Sequence, residues 1–136
     1  DRLEAGTHNV PGAAGLLAGL RFLRKRGLES IRRQEAALIR QVAEGLSRLP
    51  EVQVYAARGT GVQTGVLSFR LPQKDPGWVA EALSRRGIAV RAGLHCAPLA
   101  HATGGTEQTG TVRVSVSAFN TSREITAFLA AMQALV

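Results

Sequence analysis

Apolar residues recur at three- and four-residue spacing in the first third of the chain and alternate singly in two later stretches. A first helix is expected over residues 12–26, with Asn9 or Val10 near the cap and Pro11 in the opening turn, where its missing N–H does no harm. Gly12, Gly15 and Gly19 share one face of that helix. Such a face suits either internal packing or a close contact with another domain or subunit. Gly27 bends the run, and a second helix is expected over 28–49, with Leu28, Ile31, Leu38, Ile39, Val42 and Leu46 in one stripe and Glu35 as its polar interruption. Pro50 ends it. A short strand over 52–55 and a glycine-containing loop over 57–64 lead to a stronger strand over 65–71. There Leu67, Phe69 and Leu71 alternate with Val66, Ser68 and Arg70.

Asp75 and Pro76 open a third helix as cap and first-turn proline, and Gly87 closes it after about residue 86. A strand is expected over 88–91, a bend at Gly93 and a short helix from 97 to 101. A polar loop with three glycines covers 103–110. Residues 111–119 then alternate, with Val112, Val114 and Val116 on one face and Arg113, Ser115 and Ser117 on the other. Thr121 to Glu124 reads as a capping box for a last helix over 122–135, with Ile125, Phe128, Leu129 and Met132 turned inward. The expected fold is α+β: a small antiparallel or mixed sheet with helices on one face, in a single domain over residues 1–136.

Composition changes this picture little. The net charge of +7 comes almost wholly from arginine, but the arginines are scattered through every element and no nucleic-acid motif accompanies them, so nucleic acid is not the expected partner. The longest apolar run, about residues 10–20, falls short of a membrane span, which needs about 20 residues. The start, Asp1-Arg2-Leu3-Glu4, lacks the apolar core of a secretory signal. One cysteine cannot form an intrachain disulfide, and a reducing, cytoplasmic setting is expected.

The candidate chemistry gathers between Val90 and His101, which hold that cysteine, two of the three histidines and Arg91. A lone cysteine is as a rule a small buried hydrophobe. Here its surroundings are polar and cationic. A place at the start of a helix, beside Arg91 and His95, would favour the thiolate and make Cys96 a nucleophile. His95 could act on a proton near the thiol, or be an ordinary surface histidine. His101 is expected to be structural. The cluster lacks the spacing and fourth ligand of a zinc site, so no metal is expected. A thiol hydrolase would need a base and an oxyanion hole that the sequence does not locate.

Arg91 to Ala97, read as Arg-x-Gly-x-His-Cys-Ala, resembles the active-cysteine segment of the cysteine desulfurases, pyridoxal-phosphate enzymes of the class V aminotransferase group. Two further segments match in order: Glu4 to Asn9, and Val112 to Thr121. The resemblance spans nearly the whole chain and is to the C-terminal part of such an enzyme. It implies the small C-terminal domain of a fold-type I transferase, with Cys96 and His95 catalytic and Arg113 binding the substrate α-carboxylate. It also implies that Gly6 and Thr7 reach the cofactor phosphate across a homodimer. Pyridoxal 5′-phosphate, L-cysteine as substrate and a sulfur-acceptor protein belong to the same expectation. The family usually has proline where His8 stands. The cofactor lysine lies, in the family, ahead of this segment, and neither Lys25 nor Lys74 stands in a matching context. The chain alone is therefore expected to be inactive. The alternatives are the small domain of a related aminotransferase, lyase or epimerase, and a stand-alone module binding phosphate or nucleic acid.

Overall fold

The computed structural model describes residues 6–57 and 63–136, which fall in two compact units, residues 1–31 and residues 32–136. Glu4 and Ala5, and most of the loop expected over 57–64, lie outside the described residues.

In the first unit, the Asn9 side chain accepts a hydrogen bond from the Gly12 N–H at 2.9 Å and caps α1 (Val10–Arg26), with Pro11 in the first turn as the pattern requires. Gly27, at φ 83°, ends it by donating its N–H to the Leu23 carbonyl. No residue of α1 is buried. α2 (Leu28–Ser47) follows at once and carries the chain into the second unit.

The second unit is a two-layer sandwich. Its sheet is antiparallel throughout, in the order β1 (Gln53–Tyr55), β2 (Val66–Arg70), β4 (Thr111–Ser115), β3 (Arg91–Gly93). Alternation decides which face is core. Leu67, Phe69, Val112 and Val114 turn one way and bury against Leu38, Ile39, Val42 and Leu46 of α2, Val79 and Leu83 of α3 (Pro76–Ser84), and Ile125, Phe128 and Met132 of α5 (Ser122–Gln133). Phe69 meets Phe128 edge-on with ring centres 6.1 Å apart. Fully burying one such side chain is worth about 1.5–3 kcal/mol. The helices are stopped and started as expected: Asp75 caps α3 on the Trp78 N–H, and Thr121 and Glu124 form the reciprocal capping box of α5.

Two expectations need correction. The strand near the cysteine runs over Arg91–Gly93, not residues 88–91. Ile88 and Val90 pack against the core ahead of the ladder, and Gly93, expected as a bend, is paired with Thr111. Its neighbour Gly110, at φ 70°, makes that pairing close: a Cβ there would come within 2.8 Å of the Gly93 backbone. The second correction concerns the layers. α4 (Pro98–Gly104) contributes nothing to the core cluster and lines, with Ser68 and Arg113, a cavity on the opposite, polar face of the sheet. No helix among the described residues is long and apolar enough to cross a membrane.

Candidate functional site

The polar face is organised by register. Tyr55 pairs with Ser68, Ser68 with Arg113 and Arg113 with Arg91, so one row of directly opposed residues crosses all four strands. Directly opposed residues share a face of the sheet, and like charges so placed repel. Arg91 and Arg113 therefore sit side by side, an arrangement that an anion would relieve. A cavity of about 320 Å³ opens beside them, lined by Tyr55, Ser68, Thr111 and Arg113 from the sheet and by His95, Ala97, Ala100, His101, Gly104 and Thr106 from the segment around α4. Two side-chain nitrogens among the described residues are buried without a hydrogen-bond partner, His95 Nδ1 and Arg113 Nε, and both belong to residues of this cavity. An unmade hydrogen bond at a buried polar atom costs about 1–3 kcal/mol.

Cys96 is presented by strain. β3 ends at Gly93, and the Ala97 N–H returns to the Leu94 carbonyl at 2.9 Å, closing a tight turn. Its two central residues, His95 at φ 53° and Cys96 at φ 58°, are both left-handed. That is the φ pattern of a type I′ turn, normally filled by Asn and Gly. Non-glycine residues held there cost about 1–3 kcal/mol each and persist where their surroundings over-determine them. The consequence is a division of labour within two residues. The half-buried His95 ring goes to the cavity, while Cys96 stays exposed with a free thiol. α4 begins two residues later at Pro98, with Ala97 as its cap and no side-chain capping bond.

His95 corrects one element of the sequence reading. Burial first, then the Arg113 charge, with smaller contributions from His101 and Arg91, push its pKa below 6.5, against an opposing contribution from the Thr111 backbone. The shift works against the positive charge expected beside Cys96. Its Nε2 lies 3.4 Å from the Thr111 hydroxyl. His101, expected to be structural, is only 6% exposed, and its Nδ1 lies 2.7 Å from the Thr106 hydroxyl. Thr106, Thr111 and Tyr55 at this site were not singled out from the sequence. The signal available for the threonines was the pair of Gly-Thr steps at 105–106 and 110–111, each following a left-handed glycine.

Gly6 and Thr7 are exposed at the start of the described residues, three and two residues ahead of the α1 cap Asn9. They lie in the first unit, and Cys96, His95 and Arg113 lie in the second. No group of His, Cys, Asp or Glu among the described residues could hold a metal ion. A larger hollow, about 480 Å³, lies on the helical side between 88–90 and α5, lined mainly by Val114, Val116, Ile125 and Phe128. It contains no histidine, and the smaller cavity, lined by two histidines and by both sequence neighbours of Cys96, is the candidate site.

The family model for class-V aminotransferases matches residues 1–128. The chain is 39% identical over 137 residues to a probable cysteine desulfurase of Pyrococcus abyssi, covering all of this chain and 33% of that protein. Among solved structures it resembles the apo cysteine desulfurase of Thermococcus onnurineus, with 42% identity and a TM-score of 0.91 over 99% of this chain and 33% of that one. It also resembles an Escherichia coli cysteine desulfurase, with 28% identity and a TM-score of 0.86 over 98% of this chain and 32% of that one. The chain thus spans about a third of the length of these relatives.

Proposed function

The chain belongs to the class-V aminotransferase family, and on that footing we propose that it is the C-terminal small domain of a cysteine desulfurase whose Cys96 takes sulfur from L-cysteine. One observation carries the reading: a strained turn exposes the Cys96 thiol between His95 and Ala97, both of which line a cavity where the Arg113 Nε is buried without a partner.

The family implies pyridoxal phosphate. The residues of this chain fit the non-covalent part of holding it. Thr7 and the backbone around Gly6 offer a hydroxyl and N–H groups, donors suited to a phosphate, and in a homodimer they would serve the partner's site. The covalent lysine is assigned to the part of the protein outside this chain. Lys74 donates to the Leu135 carbonyl and stands 5.3 Å from the centre of the Trp78 ring, and Lys25 closes the last turn of α1. When bound, the cofactor supplies an electron sink at the substrate α-carbon.

The rest is the work of this chain. Arg113 binds the α-carboxylate, for which a planar guanidinium gives two parallel charge-assisted hydrogen bonds. The Cys96 thiolate attacks the substrate sulfur: an S–S bond forms, the substrate carbon–sulfur bond breaks, and the freed carbon takes a proton. Cys96 thiol plus L-cysteine gives Cys96 persulfide plus L-alanine, a balance that needs no outside oxidant. His95, next to Cys96 in sequence and with its pKa lowered, is suited to accept a proton. The exposed persulfide is then open to an acceptor protein, in a cytoplasmic, reducing setting.

The experiment is Cys96→Ser in the full-length enzyme. Serine keeps the size but is a far weaker nucleophile at neutral pH. The variant should still bind cofactor and L-cysteine, and lose nearly all alanine production. Retention of most activity would move the chain to a family relative whose cysteine is not catalytic: an aminotransferase, a lyase or an epimerase.

A further inference from the structure

α4 is turned the wrong way round for a packing helix. Its only large apolar residue, Leu99, is 83% exposed, while His101 is its single buried residue. A short helix that excludes a leucine and encloses an imidazole is placed for hydrogen bonding, not for burial of apolar area. Thr106 holds His101 at two points, one on the ring and one on the main chain. The Thr106 hydroxyl meets Nδ1 at 2.7 Å, and the Thr106 N–H donates to the His101 carbonyl at 2.9 Å. Gly105, left-handed at φ 64°, turns the chain back so that both contacts form, and Thr106 itself is buried.

That ring stands beside the His95 ring, with centres 5.9 Å apart and planes tilted by 41°. Among the described residues the His95 ring meets Thr111 at its hydroxyl, 3.4 Å away, and at its backbone, and its Nδ1 has no hydrogen-bond partner. The His95 ring belongs to the first of two consecutive left-handed residues, and beside Thr111 its neighbour is the pinned His101 ring.

We propose that His101, locked by Thr106, is a positioning residue for His95, and that the two rings together hold the left-handed turn that presents Cys96. It acts through His95. The inference rests on the reading of Cys96 as the reactive thiol, but not on the desulfurase reaction itself.

The test uses the full-length protein and two variants. Thr106→Val keeps the shape and removes the hydroxyl. His101→Phe keeps a ring and removes Nδ1. Two readouts are taken on protein verified as folded by circular dichroism: the His95 imidazole titration by NMR, and the rate of Cys96 alkylation by iodoacetamide followed by mass spectrometry of its peptide. His95 is faced by Arg113 and Thr111 from β4, Arg91 from β3 and His101 from α4. A freed ring gains water and moves away from these cations, so its pKa should rise by about half a unit toward the ordinary imidazole value. The alkylation rate at pH 7 should change by about threefold or more as the turn relaxes.

Wild-type titration and alkylation in folded Thr106→Val would overturn the proposal and leave His101 as a core filler. Should His101→Phe fail to fold, Thr106→Val alone decides. A shift in both readouts, with alanine production unaffected by Cys96→Ser, would uphold the positioning role and overturn the desulfurase reading instead.

Discussion

At the scale of single residues, the site is built from polar atoms left unsatisfied and charges left opposed. Arg113 stands mid-strand between core valines, with its Nε buried and unpartnered and Arg91 directly opposite. If it clamps a carboxylate, Arg113→Lys should cost about 1.5–3 kcal/mol in kcat/KM of the full-length enzyme, because charge survives and the fork does not. Kinetics within twofold of wild type would return Arg113 to a solvated strand position. His95 gives a pH signature. Its folded pKa lies below the unfolded value of 6.5, so the unfolded state binds more protons as pH falls through that window. Stability should therefore decline on acidification below about pH 6.5, the unperturbed imidazole value. His95→Asn should flatten that part of the curve. Denaturant midpoints measured between neutral and mildly acid pH decide it, and equal slopes for both proteins would count against a cavity-facing His95 with a lowered pKa.

At the scale of elements, the periodic patterns carried most of what the structure contains, and the exceptions have physical causes. α1, α3 and α5 begin where their caps stand in the sequence, and β2 and β4 bury the alternating faces expected of them. The misplaced element is β3. Its three residues include a glycine and an arginine, and no pattern of apolar residues marks them. Pairing there depends on a tertiary fact, the approach of Gly110 to the Gly93 backbone. Gly110→Ala would meet that backbone at 2.8 Å in a left-handed conformation. A loss of about 1–3 kcal/mol in unfolding free energy is expected, with the cysteine turn loosened by the same change. Unfolding by denaturant measures it, and a neutral substitution would contradict the close β3–β4 approach. α4 was legible as a short helix but not as a polar-side element, because seven residues with one leucine have no periodicity to read. Its function shows only when Thr106 and Thr111 arrive from a loop and a strand.

At the scale of the whole molecule, the chain is about a third of its relatives, and its exposed features suit it to a larger assembly. Cys96, Arg113 and Gly6-Thr7 were legible together only through resemblance, since they are spread over more than 100 residues and two compact units. Residue spacing alone could not have joined them. In the full-length enzyme, Thr7→Ala should lower cofactor retention on dialysis without changing subunit folding, and wild-type retention would remove Thr7 from the phosphate site. The chain on its own, lacking a lysine in the family context, should show no saturable visible absorbance on titration with pyridoxal phosphate.

The most direct measurement is the mass of the Cys96 peptide after one turnover of the full-length enzyme with L-cysteine and no acceptor. The account predicts one added sulfur atom on Cys96, in step with the alanine released. Alanine formed at the wild-type rate while Cys96 remains a plain thiol would contradict it.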